Sequence, residues 1–232
     1  MKVSLVTRTF NEVSEIESLA LNLRKQTLQI DEVIVVDNGS VDGSVDFCRQ
    51  AGFKVISIDE YLPGKALNLG IKESKCEIVV LVSSHCIPAD KYWLEKLVQP
   101  FSYDSQIVAS YGRQIPSKDS TALDYRDLLT VFRNESKVQI LDTFFHNANS
   151  AIRKSLWNKI PFSDTATNIE DRIWAREILS LNYNIYYSAE AVVFHPHGIN
   201  HNANLERAIK IKNVCEIEEL YLHDFNENWF LE

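Results

Sequence analysis

Glu170 and Asp171 are adjacent carboxylates at the head of a segment with helical spacing. A carboxylate can serve as general base when it lies within about 2.6–3.2 Å of the proton it takes. Acids at a helix start also favour the macrodipole, so capping is the competing role. His195 and His197 are alternate residues at the end of an apolar run, and alternate residues of a strand share a face. Imidazoles so placed can pack, cap a loop or hold a metal. A third histidine, His85, closes Ser83-Ser84-His85. Imidazole suits Mn-, Co- or Zn-like ions and is a poor ligand for Mg. Lys65 offers a point charge suited to phosphate. The Asp37 carboxylate can accept from hydroxyls or a ring N–H, and the Asn38 amide can donate and accept. Gly39 follows them and permits close backbone approach.

These residues need elements to hold them. Val3 to Thr7, Glu32 to Val36, Lys54 to Ile58 and Glu77 to Val82 read as strands, and helix-spaced segments separate them. The second run is almost wholly apolar, as in a strand covered on both faces. The order β-α-β-α-β-α-β over residues 1–82 implies a parallel sheet with right-handed crossovers. In such a sheet ligands bind beyond the carboxyl ends of the strands. Each strand is followed there by a polar cluster: Thr7 to Glu12, Asp37 to Asp42, Pro63 to Asn68, and Ser83 to Pro88. Turn chemistry explains any one of them alone; four converging on one sheet edge point to a binding site.

The second half is less regular. Trp93 to Val98 reads as helix, Ile107 to Tyr111 as strand, and residues 115–140 as a polar excursion with a helix around Leu123 to Phe132. Ser150 to Trp157 is a strand-to-helix passage, Asp171 to Leu181 a helix, and Ile185 to Phe194 a strand. Leu205, Ile209, Val214, Ile217 and Leu220 give a last amphipathic helix reaching Tyr221.

The chain has 232 residues, with 24 Lys+Arg against 32 Asp+Glu and a net charge of −8. That balance argues against nucleic acid as a partner, which calls for a basic footprint. Hydrophobic residues make up 45%, enough for one core without disulfide or metal staples. No run approaches the ~20 apolar residues of a membrane span, and Val3 to Val6 is too short for a signal-peptide core. Cys48, Cys76, Cys86 and Cys215 are far apart, which suits free thiols in a reducing compartment. The expectation is a cytoplasmic protein, with the apolar Trp229-Phe230-Leu231 a candidate contact at the inner face of the membrane or a segment that packs on the domain.

Val35-Val36-Asp37-Asn38-Gly39-Ser40-Val41-Asp42 resembles the V-D-[DNS]-G-S-x-D motif of GT-A, family 2 glycosyltransferases. Other segments follow in the family's order. Thr7 to Glu12 resembles the opening T-x-N-E, Gly64 to Gly70 the G-[RK]-A-x-N-x-G stretch, and Pro88 to Leu97 the P-x-x-x-W-L-E-x-L. Tyr111-Gly112-Arg113-Gln114 and Asn147 to Arg153 resemble segments of the rhamnosyltransferase-like branch. Asn168 to Asp171 resembles the E-D acceptor-site motif, and His195-Pro196-His197 the late histidine motif. The resemblance covers about residues 1–200.

It implies a single α/β domain over 1–232: a mostly parallel GT-A sheet flanked by helices, with a nucleotide-sugar half at about 1–110, an acceptor half at about 111–200 and a C-terminal helix at 204–222. It implies an inverting transferase acting on a nucleotide-sugar donor and a saccharide or lipid-linked acceptor, in bacterial surface polysaccharide synthesis. Asp171 becomes the base and Glu170 an acceptor binder. The donor side falls to Thr7, Arg8, Asn11, Glu12, Asp37, Asn38, Lys65, Asn68, Ser83 and Ser84. The acceptor side falls to Arg113, His146, Asn147, Asn149 and Trp174. One departure is chemical. Where the family usually has D-x-D to hold a divalent ion, Mn or Mg, this chain has Ser83-Ser84-His85. Either His85, His195 and His197 hold the ion, or Lys65, Arg8 and Arg113 neutralise the diphosphate without one. A nucleotidyltransferase is disfavoured because residues 1–12 contain no glycine. A non-catalytic binding descendant of the same fold is the standing alternative. Oligomeric state leaves no mark in the sequence.

Overall fold

The computed structural model describes residues 1–217. In chain order the strands and helices are β1 (Val3–Thr9), α1 (Val13–Leu23), β2 (Glu32–Asp37), α2 (Ser44–Gln50), β3 (Lys54–Ser57), α3 (Pro63–Lys72), β4 (Ile78–Val82), β5 (Ile87–Pro88) and α4 (Trp93–Val98). They continue with β6 (Ile107–Pro116), α5 (Ala122–Val131), β7 (Lys137–Gln139), β8 (Asn149–Arg153), α6 (Lys154–Trp157), α7 (Glu170–Ser180), β9 (Asn184–His195) and α8 (Leu205–Ile217). They form one α/β sheet of order β3-β2-β1-β4-β8-β6-β9-β5, with β7 added on β9.

The expected parallel crossovers hold through β4: β1 pairs parallel with both β2 and β4, and β2 with β3. Alternation explains why these strands are apolar throughout. Val6, Ile34, Val79 and Leu81 enter one core with α3 and α7, while Leu5, Val35, Val80 and Val82 enter another with α1 and α4. Beyond β4 the direction changes. β8 runs antiparallel between β4 and β6, and β6 then pairs parallel with β9. This brings residues 146–149 to the same sheet edge as the end of β4, where β1 and β2 also deliver their polar ends.

Three elements differ from the sequence reading. α3 starts at Pro63, a residue whose fixed φ suits a first helical position, so Gly64 and Lys65 lie in its first turn rather than in a loop. β6 continues to Pro116 because its second half pairs with the end of β9. In α8 only Val214 of the expected apolar face is buried, against Ala166, Ile169 and Ile173, whereas Leu205, Ile209 and Ile217 are exposed. Leu220, Tyr221 and Trp229-Phe230-Leu231 lie outside the described residues. Among the described residues no helix is long and apolar enough to cross a membrane.

The glycines of α3 are packing glycines. A Cβ at Gly64 would meet the backbone oxygen of Ser163 at 2.0 Å, and one at Gly70 would meet Val6 Cγ1 at 2.4 Å. The Gly64 contact also sits 3.4 Å from the Glu170 Cβ, so it sets the spacing between α3 and the head of α7. In an open helix Gly→Ala gains about 1 kcal/mol. Gly64→Ala should instead lose about 1–3 kcal/mol in a urea melt, because the opposing atom is backbone and cannot rotate away; a gain in stability would refute this packing role.

Candidate active site

The head of α7 is unusual. Its N-cap position is Ile169, in the left-handed region at φ 52° and with no side-chain cap bond. A β-branched residue there is strained by the order of 1–3 kcal/mol. The next two residues are Glu170 and Asp171, both buried. Neither is the N-cap, but both lie in the first turn, where acids suit the macrodipole, and Asp171 Oδ1 accepts the Arg172 N–H at 2.9 Å. Asn147 holds both: its backbone N–H donates to Asp171 Oδ2 at 3.2 Å, and its Nδ2 donates to Glu170 Oε1 at 3.3 Å. Arg8, from the end of β1, brings Nη1 to 3.8 Å from Glu170 Oε1 and donates to the Pro63 carbonyl at 3.2 Å.

Burial raises both carboxyl pKa values. Glu170 is lifted further, to about 7, by the Asp171 charge beside it. For Asp171 the neighbouring Arg172 and the Asn147 N–H offset part of the burial. Asp171 therefore ionises first, and Glu170 retains its proton into the neutral range. Both line a cavity of about 370 Å³. A second cavity of about 310 Å³, lined by Thr9, Glu12, Asn38 and Ser84, shares Arg8, Tyr61, Ser83 and His85 with the first.

The histidines meet at this junction. One nitrogen from each of His85, His195 and His197 lies within 4.8 Å of the others. His85 Nε2, His195 Nε2 and His197 Nδ1 are buried and have no hydrogen-bond partner among the described residues. The other nitrogen of His85 faces Glu12 Oε1 at 2.9 Å, and that of His195 faces Gln114 Oε1 at 2.7 Å. Burial pushes the pKa of His197 down to about 4 and that of His195 well below its ordinary value, with neighbouring imidazoles adding to the effect. Burial works against ionisation of Glu12, but hydrogen bonds from His85 and Ser84 outweigh it and hold its pKa low. Three converging imidazole nitrogens without partners, two of the rings backed by a carboxylate or an amide, fit a divalent first-row ion.

The glycosyl transferase family 2 model matches residues 4–160. The chain belongs to glycosyl transferase family 2. The O-antigen chain rhamnosyltransferase RfbN of Salmonella typhimurium is 27% identical over 221 residues, covering 89% of this chain and 70% of RfbN. The O-antigen chain rhamnosyltransferase WbaN of Salmonella anatum is 26% identical over 197 residues, covering 79% of this chain and 62% of WbaN. Among solved structures, the mannosyltransferase PcManGT of Pyrobaculum calidifontis, in complex with GDP-Man and Mn2+, matches with a TM-score of 0.65 at 21% identity, over 84% of this chain and 56% of that one. The TarS 1-349 structure of S. aureus in complex with UDP matches with a TM-score of 0.68 at 22% identity, over 84% of this chain and 60% of that one. These likenesses establish the GT-A fold. The chain spans less than two thirds of WbaN and of both solved structures.

In this family 2 chain the residues expected at the site divide into two groups. Arg8, Glu12, Asn38, Ser83, Ser84, His85, His146, Asn147, Glu170, Asp171, His195 and His197 line the two joined cavities. The other eight do not line them: six support the frame, and Lys65 and Arg113 lie elsewhere. Asp37 is buried and its carboxylate accepts the N–H groups of Gly39 and Ser40, so it braces the loop that presents Asn38. Asn11 sits at φ 53° and clasps the same loop through Ser40 and the Val41 N–H. Thr7 is fully buried inside β1.

Asn68 spends its amide on Phe162, Asp164 and the Trp157 indole. Asn149 spends its amide on Trp93 and the carbonyls of Arg113 and Ala191. Trp174 is buried against Phe145 and Phe162, and its Nε1 donates to the Ile160 carbonyl. Lys65 pairs with Glu60 at 2.9 Å on the outer side of α3. Arg113 lies close enough to Tyr187 to act on its phenol and is absent from the lining of both cavities. The sequence reading passed over Tyr61, Arg172, His201 and Arg207, which also line the larger cavity. A signal for His201 was present, since His195, His197 and His201 crowd into seven residues.

An acid whose pKa rises on folding stabilises the fold at low pH and gives that stability up as pH climbs through the folded value. For Glu170 that loss runs from the ordinary carboxylate range up to about 7. Glu170→Gln cannot ionise, so its melting temperature should exceed the wild type's by a few degrees at pH 8, and the gap should shrink at pH 4; 1 kcal/mol is about 2–4 °C at this size. A pH-independent difference in calorimetry would mean that the Glu170 carboxyl is not raised.

Proposed function

We propose that this chain is an inverting glycosyltransferase that moves a sugar from a nucleotide-diphosphate sugar to a saccharide acceptor, free or lipid-linked, in surface polysaccharide synthesis. The observation that carries the reading is the pair of joined cavities, with an ionisable carboxylate pair on one side and the Asn38 loop on the other. The names of RfbN and WbaN support a saccharide acceptor and a rhamnosyl-like donor. Residues of about 1–110 shape the donor cavity, and residues of about 111–200 shape the acceptor cavity together with Arg8, Tyr61, Ser83, His85, His201 and Arg207. A cytoplasmic protein working at the inner membrane face belongs to the same reading.

Asn38 and Thr9 border the nucleoside. Arg8 stands where the two cavities join and places a fixed positive charge beside the diphosphate. Asp171 takes the proton of the acceptor hydroxyl as its oxygen attacks the anomeric carbon. The bond from that carbon to the phosphate oxygen breaks with its electron pair, and the nucleoside diphosphate leaves. Glu170, protonated near neutrality, donates to the acceptor and orients it. His85, His195 and His197 would hold a divalent ion, which when bound supplies charge neutralisation to the leaving diphosphate. Their all-nitrogen donor set suits Mn, Co or Zn over Mg.

Asp171→Asn should lower kcat by about 10²–10⁴ while nucleotide affinity stays within a few-fold; Glu170→Gln should chiefly raise the acceptor KM. Radiolabelled transfer with calorimetric nucleotide binding measures both. A fully active Asp171→Asn protein would remove the base assignment, and a wild type that binds nucleotide-sugar without turnover would favour a binding descendant. EDTA should abolish transfer, with Mn or Co restoring it better than Mg. Undiminished transfer after chelation would leave Arg8 as the diphosphate partner.

A further inference from the structure

Gln114 is fully buried, and nothing in the reaction above uses it. Its amide lies between two histidines of different cavity walls. Nε2 is 3.1 Å from His146 Nδ1, and Oε1 is 2.7 Å from His195 Nδ1. An amide has two orientations, and only the surrounding bonds choose between them. The choice is made by the backbone. The Ala148 N–H donates to His146 Nδ1 at 3.3 Å, so that nitrogen carries a lone pair and no proton. It can take a second donor but cannot give one. The Gln114 NH₂ must therefore face His146, and the carbonyl oxygen must face His195. An oxygen acceptor requires a proton on His195 Nδ1, which leaves Nε2 bare.

His85 reaches the same state by a separate route. A carboxylate oxygen of Glu12 faces His85 Nδ1 at 2.9 Å and accepts its proton's hydrogen bond, which in the neutral ring leaves Nε2 bare. The two nitrogens left bare by this argument, His85 Nε2 and His195 Nε2, are the ones buried without a partner in the three-histidine cluster. Two lone pairs thus converge where the described residues supply no donor.

We infer that Gln114 is the positioning residue that sets the proton pattern of the site: it fixes His195 with Nε2 unprotonated toward the three-histidine cluster, and fixes His146 with its proton on Nε2 as a standing donor in the acceptor cavity. This rests on reading the cluster as a metal site. His146 is then a hydrogen-bond donor and not a base, because the single lone pair of its other nitrogen is already shared between two donors. Partners that orient ligating histidines typically cost 10–100-fold in metal affinity when removed.

The test uses the EDTA-stripped 232-residue chain. Long-range ¹H–¹⁵N correlation spectra of histidine-labelled wild type should show His195 protonated on Nδ1 and His146 on Nε2. Cobalt(II) chloride, titrated by its visible absorption, should bind Gln114→Leu 10–100-fold more weakly than wild type. Gln114→Glu retains an oxygen for His195 Nδ1 and should stay within a few-fold. A purely structural role would lower the melting temperature of both variants and leave cobalt affinity alone. His195 protonated on Nε2 in the wild type, or unchanged cobalt affinity in folded Gln114→Leu, overturns the inference. If Gln114→Leu fails to fold, a loss beyond tenfold in Gln114→Glu does the same. If the wild type takes up no cobalt, the metal reading falls, and the tautomers of the metal-free wild type alone decide the role of Gln114.

Discussion

Two carboxylates buried side by side are the constraint around which the site is arranged. Desolvation opposes ionising either one, and each charge opposes the other. Such a pair persists only if the frame around it is rigid enough to hold it. Asn147 reaches both acids from the start of β8, which occupies its place because that strand runs antiparallel between β4 and β6. Arg8 reaches Glu170 from the end of β1. The strained Ile169 is held by packing against Val214 of α8 and Ile173 of α7. Three separate parts of the chain thus converge on one helix turn, and none of them is close to it in sequence.

Burial acts on the histidines with the opposite sign. It pushes His146 and His201 to about 3 and His197 to about 4, so they stay neutral, as it tends to keep Glu170 neutral. A cavity whose ionisable acids and imidazoles are both driven toward neutrality has little mobile charge. The fixed charges are guanidinium, which proteins do not deprotonate, and the Glu12 carboxylate, whose pKa is held low. Arg8, Arg172 and Arg207 line the larger cavity, and Arg8 also borders the smaller one. At the junction the Arg8 guanidinium therefore stands between two acids, Glu170 at 3.8 Å in the larger cavity and Glu12, whose pKa is held low, in the smaller one.

Much of the fold could be read from the sequence, because it depends on local period. The apolar runs of β1, β2 and β4 and the helix spacing between them dictate a parallel sheet, and the sheet dictates which chain ends meet. The convergence of Ser83 to His85, Asn38 and Arg8 was legible for that reason. The antiparallel entry of β8 was not, since direction within a sheet leaves no trace in the composition of a strand. Individual roles were the least legible. Asp37, Asn68, Asn149 and Trp174 carry the residue types of a binding site, but each is saturated by protein partners that lie far away in sequence or on its own turn. A side chain's type states what it can bond to; only the fold states whether that capacity is already taken.

This separates two kinds of information in the motifs of the family. Gly64, Asn68 and Gly70 hold α3 against β1, the 157–164 segment and the head of α7. Asp37 and Asn11 hold the loop of Asn38. These residues identify the fold because they build it, and they act on the reaction only through what they position. The chemistry depends on the side chains left unsatisfied after folding, and among the described residues these include ring nitrogens of His85, His195 and His197. Replacing a carboxylate motif with Ser83-Ser84-His85 leaves the frame motifs intact while changing the donor set from oxygen to nitrogen. A nitrogen set with neutral ligands carries no charge of its own, so an ion held there would retain its full positive charge toward a diphosphate, where a pair of aspartates would cancel it. In physical terms the substitution trades ion affinity from charge for ion affinity from lone pairs, and the trade depends on each imidazole being held in the right tautomer.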